Sequence, residues 1–272
     1  MAQALSTLTR VSEDLWQAIQ PVLPGFSVEV LPAIDSTNTE LMRRARAGQH
    51  EPVLLVAVEQ TAGRGRRGKG WVSQPGDSLT FSLGLPLAPN DWSGLSLAVG
   101  VSLAEHLHPG IRLKWPNDLW WDGRKLGGIL VETASVGTQR YAVVGVGLNL
   151  ATPVVPPQDL LPPAAETAPG MAPVPPVGLR DLPGPDHNRD AGQWLAAVAP
   201  ALVQDLLVFE RDGFPAFAPR FAALDALAGL PVRLSNGQTG TAAGVGPQGT
   251  LRLKNADGTT DITSAEVSVR PC

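Results

Sequence analysis

A proline-rich stretch divides this 272-residue sequence and sets the first limit on its fold. Eleven of the 26 prolines fall between Pro153 and Pro185. Because proline lacks a backbone N–H and fixes its own φ angle, a segment of this composition cannot form a regular helix or strand ladder. We therefore predict a long irregular or disordered insertion over residues 151–188, with ordered structure before and after it.

Apolar periodicity before the insertion predicts alternating helices and strands. We expect a short helix at about Ser12–Gln20 and a second in DSTNTELMRRARAG, where Thr37-x-x-Glu40 matches a capping box and Gly48 follows the last turn. The segment WSGLSLAVGVSLAEHLHPG predicts a third helix that stops near Pro109. Strands are predicted in SVEVLPAI, PVLLVAV, SLTFSLGL, IRLKW, GGILVET and RYAVVGVGLNL.

After the insertion the sequence pattern changes from helical spacing to short alternating runs. Helical spacing over Gln193–Phe209 predicts a helix with Pro200 near its start or at a kink, and a second helical piece follows at Pro219–Ala228. The final segment has short alternating runs separated by Asn-Gly, Gly-Pro and Asp-Gly, which is typical of tight hairpins in a small antiparallel β-barrel. These patterns predict two domains, 1–228 and 229–272.

Charge and cysteine content exclude several classes of protein. The net charge of −4 and the pI near 5.6 are not those of a general polyanion binder. Cys272 is the single cysteine, so a disulfide framework and a cysteine-based metal site are excluded. The sequence has neither a signal-like N-terminus nor a run of 18 apolar residues, and we expect a soluble cytoplasmic protein without membrane contact.

The stretch GRGRRGKGW matches two phosphate-binding patterns, G-x-G-x-x-G and most of a P-loop. A P-loop requires Ser or Thr after its lysine, whereas Gly70 follows Lys69, and both patterns require a helix where this sequence continues with WVSQPG. We therefore predict neither motif. The interpretation that remains is an anion-binding loop, because its glycine-rich backbone can approach an anion closely and its side chains carry four positive charges. A solvated surface loop or a nucleic-acid contact are the alternatives.

Two further stretches carry polar residues at predicted strand ends. In KWPNDLW, Pro116 ends a strand and Lys114, Asn117 and Asp118 cluster at the predicted mouth of the sheet. In RKLGGILVE, Lys125 precedes a buried strand and two glycines allow close backbone approach. Taken singly, the first stretch could be a polar turn and the lysine a solvated turn residue.

Taken in order, these stretches resemble the biotin protein ligases, the biotin–[acetyl-CoA-carboxylase] ligase family. The resemblance covers roughly Leu31–Asn149 and resumes in GTLRLKNADG and ITSAEVSVR. It implies an α/β (α+β) fold with a mixed-sheet catalytic domain, shared with lipoate ligases and class II aminoacyl-tRNA synthetases, and a small C-terminal SH3-like β-barrel. The motifs that carry the resemblance are Ser36–Asn38, Glu59–Gly68, Lys114–Asp118, Lys125–Glu132 and Gly145–Asn149.

The resemblance implies an enzyme that activates biotin with ATP and Mg²⁺ to biotinyl-5′-AMP and passes the biotinyl group to a lysine of a carboxylase's carrier domain. The biotin-binding residues it implies are Ser36, Thr37, Asn38, Gln60, Arg64, Gly65, Arg66 and Lys125. The ATP- and adenylate-binding residues it implies are Arg64, Arg66, Arg67, Lys69, Trp71, Lys114, Asn117 and Asn149. The catalytic residues we predict are Lys125, Arg66, Lys114 and Asp118, of which Asp118 is proposed from its place at the mouth of the sheet, and no protein ligands to a metal are predicted.

The sequence departs from the family pattern at Lys69, where an arginine is usual, and in the length of its proline-rich insertion. Only 35 residues precede Ser36, too few for a DNA-binding helix-turn-helix domain, so we expect no specific DNA binding and expect residues 1–20 to be dispensable for activity. A homodimer is possible, and a lipoate ligase is the competing enzyme. For the transfer step, we hypothesise that Asp118 either accepts the proton of the carrier lysine or only fixes its turn.

Overall fold

In the computed structural model, the described residues are 1–136, 139–154, 174–263 and 269–272. The helices are α1 (Ala2–Ile19), α2 (Thr37–Arg46), α3 (Leu95–Leu107), α4 (Ala191–Asp212) and α5 (Ala218–Leu224). The first seven strands are β1 (Ser27–Ile34), β2 (Val53–Gln60), β3 (Ser78–Pro86), β4 (Arg112–Lys114), β5 (Asp118–Trp121), β6 (Arg124–Val136) and β7 (Gln139–Asn149). The remaining strands are β8 (Pro231–Leu234), β9 (Thr239–Val245), β10 (Leu251–Asn255), β11 (Gly258–Ile262) and β12 (Val269–Pro271).

Two sheets organise the described part of the chain. The larger has seven strands in the order β1-β2-β3-β7-β6-β5-β4, in which β1 and β2 are parallel and all other neighbours are antiparallel. The smaller has five antiparallel strands in the order β11-β10-β9-β8-β12. The predicted mixed α/β class is therefore confirmed. The indole N–H of Trp115, which follows β4, donates to the carbonyl of Gly249, which precedes β10, at 2.9 Å and so connects the two sheets.

The central strands are buried on both faces. Strand β3 pairs with β7 from Ser78↔Asn149 to Pro86↔Tyr141, and β7 pairs with β6 in an unbroken register. Strand β2 is buried from Val53 to Val58, as its continuous apolar run predicts. On one face α1, α3 and α4 pack together and against this sheet, while α2 covers the opposite face, over β2, β3, β7 and β6.

Helix α1 is longer than the predicted Ser12–Gln20 and begins at Ala2. Serine and threonine in its first half weaken the helical signal, but Thr7, Thr9 and Ser12 each donate their hydroxyl to a carbonyl three or four residues earlier. The helix buries Leu8, Leu15 and Ile19 in the main core. The expectation that residues 1–20 are dispensable is therefore not supported by the structure.

The predicted capping box of α2 is wrong by one residue. Ser36, with an extended backbone (φ −160°), is the N-cap and accepts from the Thr39 N–H at 3.3 Å. Thr37 is already helical, and its hydroxyl is bonded to the side chain of Gln60. The predicted C-terminal glycine is confirmed, because Gly48 has a φ of +85° directly after the C-cap residue Ala47.

Three other findings refine the expectations. Strand β5 was not predicted, because its four residues are too short to show a period, yet it pairs with both β4 and β6. Helix α4 continues through Pro200, which lies in its interior. The end of the proline-rich insertion is ordered, with 3₁₀ turns at Leu179–Asp181 and Pro185–Asn188 and with Val177 fully buried. Residues 155–173 of that insertion lie outside the described residues.

Helix α4 is the one helix among the described residues whose length and hydropathy would allow it to cross a membrane. Half of its most apolar window is buried inside the protein, where Trp194, Leu202 and Phe209 belong to the main core. Packing against α1 and α3 accounts for this apolar composition.

Candidate active site

A cavity of about 300 Å³ opens where the ends of the central strands meet the loop that follows β2. Its walls come from the start of α2, the β2–β3 connection, the β4–β5 turn, β6, β7 and β12. Of the fifteen site residues named from the sequence, fourteen line this cavity, and Asn149 does not. The cavity therefore gathers segments that are far apart in the sequence into one site.

Three predicted biotin-binding residues stand at the N-terminus of α2. The Thr37 N–H and hydroxyl both donate to the side-chain oxygen of Gln60, at 2.8 and 3.0 Å. The Asn38 amide nitrogen donates to the Leu130 carbonyl at 3.1 Å, and the hydroxyl of Ser82 lies 2.6 Å from the Asn38 oxygen. The polar wall at this end is thus fixed by β2, β3 and β6 before any ligand is present.

Glycines of β7 allow this wall to pack closely. A Cβ at Gly145 would lie 2.0 Å from the Asn38 side-chain oxygen, and a Cβ at Gly147 would lie 2.4 Å from the Trp71 ring. Neither space can hold a side chain, so the strand presents bare backbone to Asn38 and Trp71. The Trp71 indole N–H is buried and has no partner within the described parts of the chain.

The Gly/Arg loop, Gly63–Gly70, closes one side of the cavity. Its ends are joined by the bridge Arg64↔Gly70, and it contains a 3₁₀ turn at Arg66–Gly68. The next regular element is β3, so no helix begins at the third glycine and the prediction against a P-loop and a dinucleotide fingerprint is confirmed.

Side chains of the Gly/Arg loop reach three separate elements. Arg64 pairs with Glu132 of β6 at 3.2 Å, Arg66 donates to the Asn117 side-chain oxygen at 3.1 Å, and Arg67 donates to Ser235 at 3.3 Å. Lys69 also lines the cavity, where burial and then the positive charges of Arg270 and Lys125 lower its pKa. The loop therefore brings four cationic side chains to one cavity, as an anion-binding site requires.

Asp118 lies between two lysines at the floor of the cavity. Its carboxylate is 2.7 Å from the Lys125 ammonium and 3.2 Å from the Lys114 ammonium. Burial alone would raise the pKa of Asp118, but Lys125 and Lys114 outweigh burial and hold that pKa well below its usual range. A carboxylate this acidic is a poor acceptor for a proton from an ammonium group, so the hypothesis that Asp118 is the general base is not supported.

Lys114 is almost completely buried. Burial lowers the pKa of its ammonium to about 8, although the nearby Asp118 opposes the shift. Its ammonium also lies over the Trp120 ring, 5.4 Å from the centroid. The cavity floor thus holds a cation that loses its charge at mildly alkaline pH.

Binding of an anionic ligand in this cavity should therefore weaken as pH rises above about 8, because Lys114 then loses its positive charge. Replacing Lys114 with methionine, which has similar length and no charge, should lower the affinity and flatten this alkaline limb. Calorimetric titration with inorganic pyrophosphate between pH 6.5 and 9.5 measures both effects. A variant that keeps the alkaline limb would assign it to another group.

The same lowered pKa has a consequence for folding. The unfolded chain binds more protons than the folded one between pH 8 and the ordinary lysine pKa, so Lys114 makes stability rise with pH across that window. Asp118 acts in the acid range, where its contribution is present above the ordinary carboxyl pKa and is lost as pH falls through its lowered value.

Asn149 has a different place from the one the sequence predicts. Its side-chain amide donates to the Lys125 carbonyl at 3.3 Å and to the Val177 carbonyl at 3.1 Å. The Lys125 N–H in turn donates to the Pro175 carbonyl at 2.8 Å. Asn149 thus holds the backbone under Lys125 and does not face the cavity.

Several residues of the site were not singled out from the sequence. Phe81, Ile129 and Val146 supply apolar walls, and Val174, at the end of the insertion, also lines the cavity. Arg270 of β12 reaches the cavity from the smaller sheet. Its only local signal is one arginine in an alternating strand, which cannot reveal a contact with a distant cavity.

The segment that forms most of this cavity also matches a known protein family. Residues 30–149 match the model of the biotin/lipoate A/B protein ligase family, the segment that supplies most of the cavity. Fold and site therefore define the protein as an enzyme of the ligase class.

Proteins with similar sequences and structures identify the family within this class of enzymes. The chain is 34% identical to the bifunctional ligase/repressor BirA of Escherichia coli over 261 residues, 91% of this chain and 75% of that protein. It is 33% identical to the biotin–[acetyl-CoA-carboxylase] ligase of Mycobacterium tuberculosis, over 88% of this chain and 86% of that one. The biotin protein ligase of Aquifex aeolicus, solved in complex with biotin and ATP, matches with a TM-score of 0.71 and 26% identity over 90% of this chain and 99% of that one. The chain belongs to the biotin protein ligase family.

Proposed function

We propose that this protein is an ATP-dependent biotin–protein ligase that acts on the carrier domain of a biotin-dependent carboxylase. The observation that carries the proposal is that one cavity places a polar pocket at the start of α2 next to a cluster of cations. A neutral ring with N–H and carbonyl groups suits the polar pocket, and a carboxylate and a triphosphate suit the cations.

In the first step, a carboxylate oxygen of biotin attacks the α-phosphorus of ATP, and the bond to the leaving pyrophosphate breaks. Both reactants are anionic, so the protein must align them and stabilise negative charge on the phosphoryl oxygens. Lys125, Arg66 and Lys114 line the cavity and supply positive charge for this task. Asp118 keeps the two lysines in place by accepting from both.

The nucleotide would occupy the part of the cavity near Trp71, whose buried indole N–H has no partner within the described residues. Within the described parts of the chain, no group of three or more His, Cys, Asp or Glu side chains could hold a metal ion. Asp118 is the carboxylate that lines the cavity there, and two lysines already engage it. These residues do not form a protein site for Mg²⁺, which would therefore have to enter with the ATP phosphates.

In the second step, the ε-amine of a carrier lysine attacks the carbonyl of the mixed anhydride, an amide forms and AMP leaves. The anhydride must be shielded from water until the carrier arrives, and the Gly/Arg loop is placed to cover it. The basic residues of this loop line the cavity, which favours a role in substrate binding over one in DNA binding.

Replacing Asp118 by asparagine should reduce formation of the adenylate by about tenfold or more, because two lysines lose the carboxylate that orients them. Transfer from adenylate supplied ready-made should be much less affected, and raising the pH should not restore the rate. Single-turnover assays of each half-reaction measure these rates separately. A variant slow only in transfer, with a deficit that shrinks at high pH, would reinstate Asp118 as the general base.

The direct test of the proposed function is incubation with biotin, MgATP and a purified biotin carrier domain, followed by intact mass measurement. We expect the carrier to gain the mass of one biotinyl group, and a carrier whose acceptor lysine is replaced by arginine to gain none. Parallel reactions with lipoate and a lipoyl domain address the competing enzyme. Modification of the lipoyl domain alone would overturn the proposal.

A further inference from the structure

Glu132 of β6 contacts two segments of the site at once. One carboxylate oxygen accepts from the Asn38 amide nitrogen at 3.0 Å, and the other lies 3.2 Å from the Arg64 guanidinium. Asn38 belongs to the start of α2 and Arg64 to the Gly/Arg loop, and both line the cavity. Glu132 itself stands behind them, outside the cavity lining.

The contacts of Asn38 determine what it offers a ligand. Its amide nitrogen has two hydrogens, which go to the Leu130 carbonyl and to Glu132. Its oxygen accepts from Ser82 and keeps a second lone pair. Asn38 can therefore accept a hydrogen bond from a ligand N–H without losing a protein contact, provided that Glu132 holds the amide in this orientation.

Arg64 is the contact between the Gly/Arg loop and this side of the pocket. Its guanidinium reaches Glu132 and lies 3.4 Å from the Thr39 hydroxyl, while Arg66 and Arg67 anchor the loop elsewhere. About half of the Arg64 side chain is exposed, so its pair with Glu132 is worth little alone. Glu132 gains importance because the same carboxylate also fixes Asn38.

We propose that Glu132 is a positioning residue that links the biotin pocket to the Gly/Arg loop, so that the loop stays closed over the activated intermediate while the pocket is filled. A ligand N–H bound to the Asn38 oxygen polarises the amide and strengthens its bond to Glu132. Glu132 then holds Arg64, and the loop with it. This inference rests on the proposed function, and it adds a group that touches no substrate.

Glu132→Gln weakens the contact with Arg64 more than the contact with Asn38. The glutamine oxygen can still accept from Asn38, but the negative charge is lost, and an NH₂ donor replaces the oxygen that lies 3.2 Å from the Arg64 guanidinium. Arg64 keeps at most its longer contact, 3.4 Å, to the oxygen that accepts from Asn38. We expect biotin to bind within about twofold of the original affinity, while biotinyl-AMP dissociates about threefold faster or more. Glu132→Ala leaves one of the two N–H groups of the Asn38 amide without its partner and should also weaken biotin binding by about tenfold.

Arg64→Gln provides the second arm of a double-mutant cycle. If the two side chains act together, the Glu132→Gln/Arg64→Gln variant should release biotinyl-AMP no faster than either single variant. Glu105→Gln is the matched control, since it removes a carboxylate–arginine pair with Arg220 away from the cavity, and it should leave release unchanged.

The measurements are calorimetric titration with biotin and chase of labelled biotinyl-AMP formed on the enzyme. If the original protein forms no adenylate, the proposed function fails. If it forms adenylate but Glu132→Gln and Arg64→Gln release it at the original rate, or if their effects simply add, only the coupling fails. An equal loss of biotin affinity and of adenylate retention in Glu132→Gln would assign Glu132 to the pocket alone and would also overturn the coupling.

Discussion

Replacing Lys125 by alanine is expected to reduce adenylate formation by about a hundredfold or more, the scale seen when a preorganised charge at a transition state is removed. The ammonium of Lys125 lines the cavity and is held at 2.7 Å by Asp118, so its position is set before substrates bind. Asp118 keeps its pair with Lys114 when Lys125 is removed, so the free energy of unfolding should change far less, in proportion, than the rate of adenylate formation.

Pyrophosphate release with saturating biotin and ATP measures the first effect, and urea denaturation measures the second. Lys254→Ala, at an exposed position of β10, is the matched control and should leave both unchanged. Pyrophosphate release by Lys125→Ala at the original rate would contradict a role for Lys125 in this step. A large loss of stability would assign the lysine to the fold.

Replacing Leu15 by alanine is expected to lower the free energy of unfolding by about 2–5 kcal/mol. Leu15 is 2% exposed in the face of α1 that packs on α4 and the sheet, and Leu8 and Ile19 share that face. Deleting residues 1–20 removes all three side chains, a loss comparable with the roughly 5–15 kcal/mol that stabilises a typical domain. The deleted protein should therefore fail to fold.

The neighbouring Trp16 provides the control for this prediction. Its side chain is 42% exposed, so Trp16→Ala should shift the denaturation midpoint far less than Leu15→Ala. Equal midpoints for both variants, or a soluble and active protein without residues 1–20, would show that α1 is an accessory to the fold.

The sequence by itself determined the elements with strong local signals. An apolar run located β2 and alternation located β3, and the family that the motifs resemble implied most of the fourteen predicted residues that line one cavity. The absence of a helix start after Gly68 was sufficient to reject both phosphate-loop motifs, since those motifs are defined by local backbone geometry. Features that depend on neighbours within a few positions were predicted correctly where propensity and pattern agreed.

Local patterns were insufficient where tertiary contacts override them. The first half of α1 has the serine and threonine content of a loop, but packing on α4 stabilises it as helix. The role of Asp118 could not be read from KWPND, because its acidity depends on Lys125, which a separate strand supplies. Asn149 was placed in the nucleotide site, whereas its amide supports the backbone of Lys125.

Tertiary structure alone decided how the parts of the site are joined. Glu132 contacts Asn38, which is 94 positions away in the sequence, and Arg64, which is 68 positions away. Arg270 lines the same cavity from a second sheet. A hydrogen bond or ion pair depends on ångström distances between side chains, and no local periodicity encodes such distances between remote segments. The sequence therefore identified the chemical groups of the site, and only the tertiary arrangement of its strands, helices and loops determined which groups contact one another.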